Sequence, residues 1–262
     1  MKYSLITGGA SGIGFEMASL LAKDNHNLVI TSTNEEKLNN AVNKLKEINN
    51  NIDVKSYVIN LLDNDSANKL FNLINNDNLE INVLINNAGF GDYALFIESD
   101  IKKQNEMIDL NIKTLINLTY LFLNKMKERN EGYIINVGSI ASLLPGPYMS
   151  IYYASKAFVL SFSEALYMEM KPYNIYVGCI CPGPTNTNFA NRANVGNEKM
   201  FAKSHASTPQ KIAKDAIKMM KKKKPIKFSG KWMGISSFFS NRVSHRFKRN
   251  ISFKINKPPK KG

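Results

Sequence analysis

Thr7-Gly8-Gly9-Ala10-Ser11-Gly12-Ile13-Gly14 is the stretch on which the fold turns. It closes a short apolar strand at residues 2–7 and opens an apolar helix at residues 15–23. Glycines there let the backbone turn sharply and approach an anion closely, while the N–H groups and dipole of the new helix face that anion. A glycine cluster alone says little. At the first strand–helix junction it reads as the cradle of a dinucleotide pyrophosphate.

Outward from that junction, apolar runs alternate with helical patterns. Strands are expected at residues 27–31, 54–59, 83–85, 133–137 and 175–180, with a weak closing strand at 225–228. Helices are expected at residues 34–47 with Asn34 as cap, and at 66–74, 103–129 and 152–170. A last one starts at Thr208-Pro209 and runs into the lysines. Continuously apolar strands separated by helices mean a parallel sheet covered on both faces. The expected class is therefore α/β, a Rossmann-like doubly wound parallel sheet of about seven strands in a three-layer sandwich. No repeat and no linker divides the chain. Residues 1–230 read as a single dinucleotide-binding and catalytic domain, and residues 231–262 as a basic amphipathic tail packed on it or extending from it. Residues 257–262 are expected to be disordered.

At 262 residues with 44% apolar content, the chain can bury a substantial core. No apolar stretch approaches the roughly 18–20 residues of a membrane span, and the N-terminus lacks the pattern of a secretory signal. Cys179 and Cys181 share a strand face and read as reduced packing residues of a cytoplasmic protein, too far apart for easy bridging. The net charge of +14 is unevenly placed. Residues 199–262 hold nineteen Lys and Arg against the single acid Asp215, a net +18, which leaves −4 for the first 198. In that basic part Lys221–Lys224, Arg242, Arg246, Lys248 and Arg249 interleave with Trp232, Phe238, Phe239, Phe247 and Phe253. Two readings stay open: a weak contact with anionic membrane, ahead of nucleic acid, and a solvated basic face over the last packed segments.

Ser139, Tyr152 and Lys156 carry the chemistry, with Asn111 upstream. Tyr152 and Lys156 are one helical turn apart and share a face. A phenol with a pKa near 10 exchanges its proton poorly at neutral pH, and an adjacent ammonium stabilises the phenolate and lowers that pKa. Ser139, just after a strand, is placed to hydrogen-bond a substrate oxygen as charge develops. The set suits reduction of a carbonyl or its reverse. Tyr-x-x-x-Lys alone is usually a helix-surface pair, and its company gives it weight here.

In their order these motifs resemble the short-chain dehydrogenase/reductase family over residues 1 to about 230. They are Thr7-Gly8-x-x-x-Gly12-x-Gly14, Asn86-Asn87-Ala88-Gly89, the Ser139, Tyr152 and Lys156 set, and Pro182-Gly183 with Thr187. The resemblance implies Tyr152 as general acid/base and Lys156 also as a ligand of the nicotinamide ribose. It implies that Asn111 kinks a helix and holds a water linking the lysine to solvent. Asn87, Ala88 and Gly89 would brace the sheet beside the cofactor, and Pro182, Gly183 and Thr187 would hold the carboxamide. Ser11, Ile13, Ser32, Thr33, Asn60 and Leu61 complete the implied cofactor contacts. The 13-residue separation of Ser139 from Tyr152 is usual in the family and selects Tyr152 over Tyr153. Gly138 replaces a serine often found there, which affects loop shape rather than chemistry.

The second strand ends in Thr31-Ser32-Thr33-Asn34 with no acid for the ribose hydroxyls of NAD, which favours NADP(H) over NAD(H). The arginine that NADP-preferring relatives often carry is absent, with Thr33 at about its place and Lys37 the nearest cation. Asn60 stands where relatives usually have an aspartate facing adenine, and its side-chain oxygen keeps the capacity to accept. The substrate side is expected to be bounded by residues 139–151, with Leu143, Leu144, Pro145 and Tyr148, and by residues 188–207. That suggests a lipophilic or uncharged carbonyl or alcohol. A homodimer or homotetramer through the helices at 103–129 and 152–170 is implied. Two other functions stay open: a sugar-nucleotide epimerase or dehydratase, and a cofactor-binding scaffold or sensor using the basic tail. His26, His205 and His245 read as ordinary surface or loop residues, Glu164 and Glu169 as solvated, and Met219-Met220 as core.

Overall fold

The computed structural model describes residues 1–186, 189, 193, 206–230 and 244–257. Seven strands form one parallel sheet in the order β3-β2-β1-β4-β5-β6-β7. They are β1 (Lys2–Ile6), β2 (Asn27–Ser32), β3 (Val54–Val58), β4 (Glu80–Asn86), β5 (Gly132–Val137), β6 (Ile175–Pro182) and β7 (Ile226–Ser229). Successive residues of each strand divide between the two faces. Ile6, Ile30, Ile85, Ile135 and Ile180 pack against α1 (Gly12–Lys23), α2 (Glu35–Ile48) and α7 (Pro209–Lys221). Leu5, Val29, Leu84, Ile134 and Val177 pack against α3 (Ser66–Asn76), α5 (Leu115–Arg129) and α6 (Ser150–Glu169). The result is the doubly wound three-layer fold that the alternation of elements calls for.

The strand order reverses between β1 and β4, so a crevice lies beyond the carboxyl ends of the central strands. Behind it, buried side chains lock the layers. Asn86 Nδ2 donates to Thr119 Oγ1 at 3.0 Å and to Asn136 Oδ1 at 2.9 Å, and Asn136 Nδ2 donates to Ser163 Oγ at 2.9 Å.

Two sequence expectations change. The helix expected at 103–129 is α4 (Ile101–Ile108), a π-helical turn (Asp109–Thr114) and α5, because the Asn111 amide leaves the helix to pair with the Phe90 backbone. α1 starts at Gly12 rather than Phe15, with Ser11 as its cap residue. His26 is a half-buried loop residue between α1 and β2, its Nδ1 2.9 Å from Ser4 Oγ, and burial lowers its pKa. Met219 and Met220 are core, and Glu164 and Glu169 are exposed. Cys179 and Cys181 are unbridged and buried, their sulfurs 3.6 Å apart on one face of β6.

Part of the basic tail forms α8 (His245–Asn256), capped by Ser244 Oγ accepting from Phe247 N at 3.3 Å. Trp232, Phe238, Phe239, Arg242, His205, Thr187 and residues 258–262 lie outside the described residues. Among the described residues no helix is long and apolar enough to cross a membrane.

Candidate active site

The cradle is built from backbone strain and close approach. Gly8 and Gly12 hold φ of +64° and +58°, a region that strongly favours glycine. A Cβ on Gly14 would stand 2.5 Å from both Asn87 Nδ2 and Gly8 O. Asn87 Nδ2 donates to Thr7 O at 2.9 Å and Gly8 O at 3.2 Å, stitching the turn to the end of β4. Thr7 acts as a tie: its Oγ1 accepts from Asn87 N and Ala88 N, both at 3.0 Å. Its hydroxyl is thus engaged within the protein. The Ser11 side chain makes no capping bond, and the N–H groups of the first turn of α1, Ile13 included, have no partner within the helix.

At the outer edge, Ser32 Oγ accepts from Asn34 N at 3.1 Å and Thr33 is exposed. Asn60 Oδ1 accepts from Leu62 N at 3.2 Å, while its Nδ2 donates to Asp63 Oδ1 at 2.7 Å. A carboxylate therefore does stand at this edge, three residues beyond the position where sequence reading missed one. Leu61 is buried, and its carbonyl accepts from Ser66 Oγ at 3.0 Å and Thr114 Oγ1 at 2.9 Å. On the far side Gly183 N donates to Ser229 O at 2.8 Å, which fixes Pro182-Gly183 over the end of β7.

The catalytic candidates meet where β4, β5 and α6 converge. Gly89 separates them closely: a Cβ there would lie 2.8 Å from Asn111 Oδ1 and 3.6 Å from Lys156 Nζ. Asn111 is buried in the π-helical turn, accepting from Phe90 N at 3.1 Å and donating to Phe90 O at 2.9 Å and Ser155 Oγ at 3.2 Å. Ser155 Oγ donates in turn to Tyr152 O at 2.7 Å, a link the sequence gave no signal for. Ser139 caps a 3₁₀ turn (Ile140–Leu143), its Oγ accepting from Ala141 N at 3.1 Å. A hydrogen bond joins Ser139 to the Tyr152 hydroxyl. Lys156 is buried with Nζ 5.9 Å from the centroid of the Tyr152 ring, and Nζ donates to Val137 O at 2.9 Å.

Burial drives the Tyr152 pKa up to about 12, and the Ser139 hydrogen bond offsets only part of that rise. Burial also lowers Lys156 to about 8. The amine is turned toward the Val137 carbonyl. Tyr153 points elsewhere. Its hydroxyl lies 3.4 Å from Asn256 Oδ1 on α8 and its ring fills the space over Gly146. Position as well as spacing thus separates the two tyrosines.

An apolar cluster packs against the Tyr152 ring: Ala141, Met149, Tyr153 and Ala193, with Tyr93, Leu144 and Phe189 packed on it as well. Tyr148 holds a φ of +65° and stacks between Tyr93 and Phe253. Sequence reading found Tyr148 and, within residues 188–207, the segment that holds Phe189, but not Tyr93 or Asn256, because a loop and a distant helix deliver them.

Sheet, cradle and catalytic set together define a short-chain dehydrogenase. The chain belongs to that family, whose profile matches residues 2–198. It is 34% identical over 185 residues to very-long-chain 3-oxoacyl-CoA reductase of Mus musculus, covering 69% of this chain and 58% of that protein. The chain thus spans little more than half the length of the first curated relatives it matches. It is 30% identical over 220 residues to 3-oxoacyl-[acyl-carrier-protein] reductase FabG of Chlamydia muridarum, covering 82% and 88% of the two chains. Among solved structures, a short-chain dehydrogenase from Sphingobium yanoikuyae in complex with NADPH superposes with a TM-score of 0.80 at 26% identity, covering 87% of each chain.

Proposed function

We propose that the protein reduces a carbonyl group in an apolar substrate with NADPH, Tyr152 acting as general acid. One observation carries this: the Tyr152 ring lies beside the buried amine of Lys156, with Ser139 close enough to the phenol to lower its pKa and Asn111 behind the amine across Gly89.

The cradle fits a dinucleotide, since a side chain on Gly14 would fill it and the first helix N–H groups have no partner within the helix. Gly8, Ser11, Gly12, Ile13 and Gly14 would hold the pyrophosphate. Ser32, Thr33, Asn60 and Leu61 would flank the adenosine end, and Asn87, Ala88, Gly89, Pro182, Gly183 and Thr187 the nicotinamide end. When bound, the cofactor supplies the hydride that the carbonyl carbon accepts. Ser139 donates a hydrogen bond to the carbonyl oxygen and Tyr152 delivers the proton as that oxygen becomes an alcohol. Lys156, buried with a pKa near 8, is poised to replace that proton, and Asn111 fixes the helix segment behind it. The acid-free end of β2 supports NADP(H) over NAD(H). The 3-oxoacyl-CoA and 3-oxoacyl-[acyl-carrier-protein] reductase relatives and the apolar cluster beside Tyr152 together favour a 3-oxoacyl thioester.

The test is NADPH oxidation by purified protein against 3-oxoacyl thioesters of increasing chain length and a panel of ketones. Turnover that favours the longer chains supports the reading. No turnover of any carbonyl, despite tight NADPH binding, overturns it.

A further inference from the structure

α8 is inside out. Its buried residues are Ser252 and Asn256, 1% and 2% exposed, while Phe247, Ile251 and Ile255 are 52%, 38% and 48% exposed. Those three stand four apart, so they form one apolar stripe along the helix. The polar face, together with the Phe253 ring stacked on Tyr148, is what binds the protein. Asn256 Nδ2 donates to Pro147 O at 3.0 Å, its Oδ1 faces the Tyr153 hydroxyl, and its carbonyl accepts from the Tyr93 hydroxyl. Arg246, Arg249, Lys254 and Lys257 are exposed around the rest of the helix.

A second apolar segment is fastened at the same joint. Ala94 N donates to Tyr148 O at 2.9 Å, and just beyond it Phe96, Ile97 and Ile101 are 53%, 86% and 61% exposed. Helix and loop thus present exposed apolar side chains beside the aromatic cluster that borders Tyr152, with the four cations on the helix side and the exposed Glu98 and Asp100 on the loop side.

We propose that this face docks on an anionic lipid surface, with Phe247, Ile251 and Ile255 entering the headgroup boundary and the four cations facing lipid phosphates and carboxylates. Charge decides the occupant. A second copy pairing through the same face would set cation against cation, since residues 199–262 carry a net +18. Nucleic acid gains from the cations but has no use for an apolar stripe. An anionic bilayer takes both. The proposal stands without the reductase reading and would bring the mouth of the candidate site to an apolar phase.

The test is co-sedimentation of the full chain with phosphatidylcholine vesicles, with and without phosphatidylserine, at low and high salt. Binding is expected to strengthen at least about tenfold with phosphatidylserine, as attraction accumulates over several cations, and to weaken with salt. Phe247→Ser with Ile251→Ser is expected to lose about tenfold or more while thermal unfolding stays cooperative, because both side chains are exposed. Arg246→Glu with Lys254→Glu is expected to abolish the phosphatidylserine preference, and it carries the test if the first pair fails to fold. Vesicle binding that ignores phosphatidylserine or survives both pairs overturns the proposal. So does duplex DNA binding without vesicle binding, or a dimer that the apolar pair dissolves without any vesicle binding.

Discussion

At the scale of single residues, the decisive contrast is between adjacent tyrosines. Tyr152 reaches Ser139 and lies beside Lys156, whereas Tyr153 turns to Asn256. Lys156 gives a separate pH signature. Its pKa falls from 10.5 in the unfolded chain to about 8 in the folded protein. Between those values the unfolded chain holds the proton and the folded protein does not, so this group's contribution to stability rises with pH across that window. Below about pH 8 both states are charged and the burial penalty is fully present. The buried tyrosines act oppositely above pH 10, Tyr152 among them, because their raised pKa values let the unfolded chain lose protons first. Melting temperatures of ligand-free protein and of Lys156→Met should therefore converge as pH rises from about 8 to 10. A constant gap would show that Lys156 is not a buried charge.

At the scale of elements, the cradle depends on how tightly β1, α1 and β4 approach. Gly14→Ala places a methyl 2.5 Å from Asn87 Nδ2 and Gly8 O, so it should cost roughly 1–3 kcal/mol and weaken NADPH binding together. Denaturant unfolding and a binding titration read both. Asn86→Ala leaves buried partners on α5 and β5 unsatisfied and should cost roughly 1–3 kcal/mol without altering the cradle. These elements were legible in the sequence because strand, glycine turn and helix are local patterns. The break at Asn111 was legible only through family resemblance, since its cause, the pairing with Phe90, joins residues 21 apart. α8 was legible as basic and amphipathic. That its polar side faces inward was not, because Asn256 finds Pro147 and Tyr153 more than a hundred residues away. Ser155 and Tyr93 escaped for the same reason: their roles are set by partners on other elements.

At the scale of the whole molecule, the sheet order puts the ends of β1, β4, β5 and β6 along one edge, so cradle and proton donor share a crevice. A ligand that spans that crevice stabilises the folded state by mass action. NADPH should raise the melting temperature more than NADH at equal concentration, and an equal or reversed shift would reassign the cofactor. The account as a whole rests on one proton, held on Tyr152 until the substrate oxygen takes it. The most direct measurement is the rate of NADPH oxidation with a turned-over carbonyl substrate, comparing Tyr152→Phe and Tyr153→Phe with the unaltered chain. The prediction is a loss of about 10²- to 10⁴-fold for Tyr152→Phe with NADPH binding intact, and a rate within a few-fold for Tyr153→Phe. Undiminished turnover by Tyr152→Phe would contradict it.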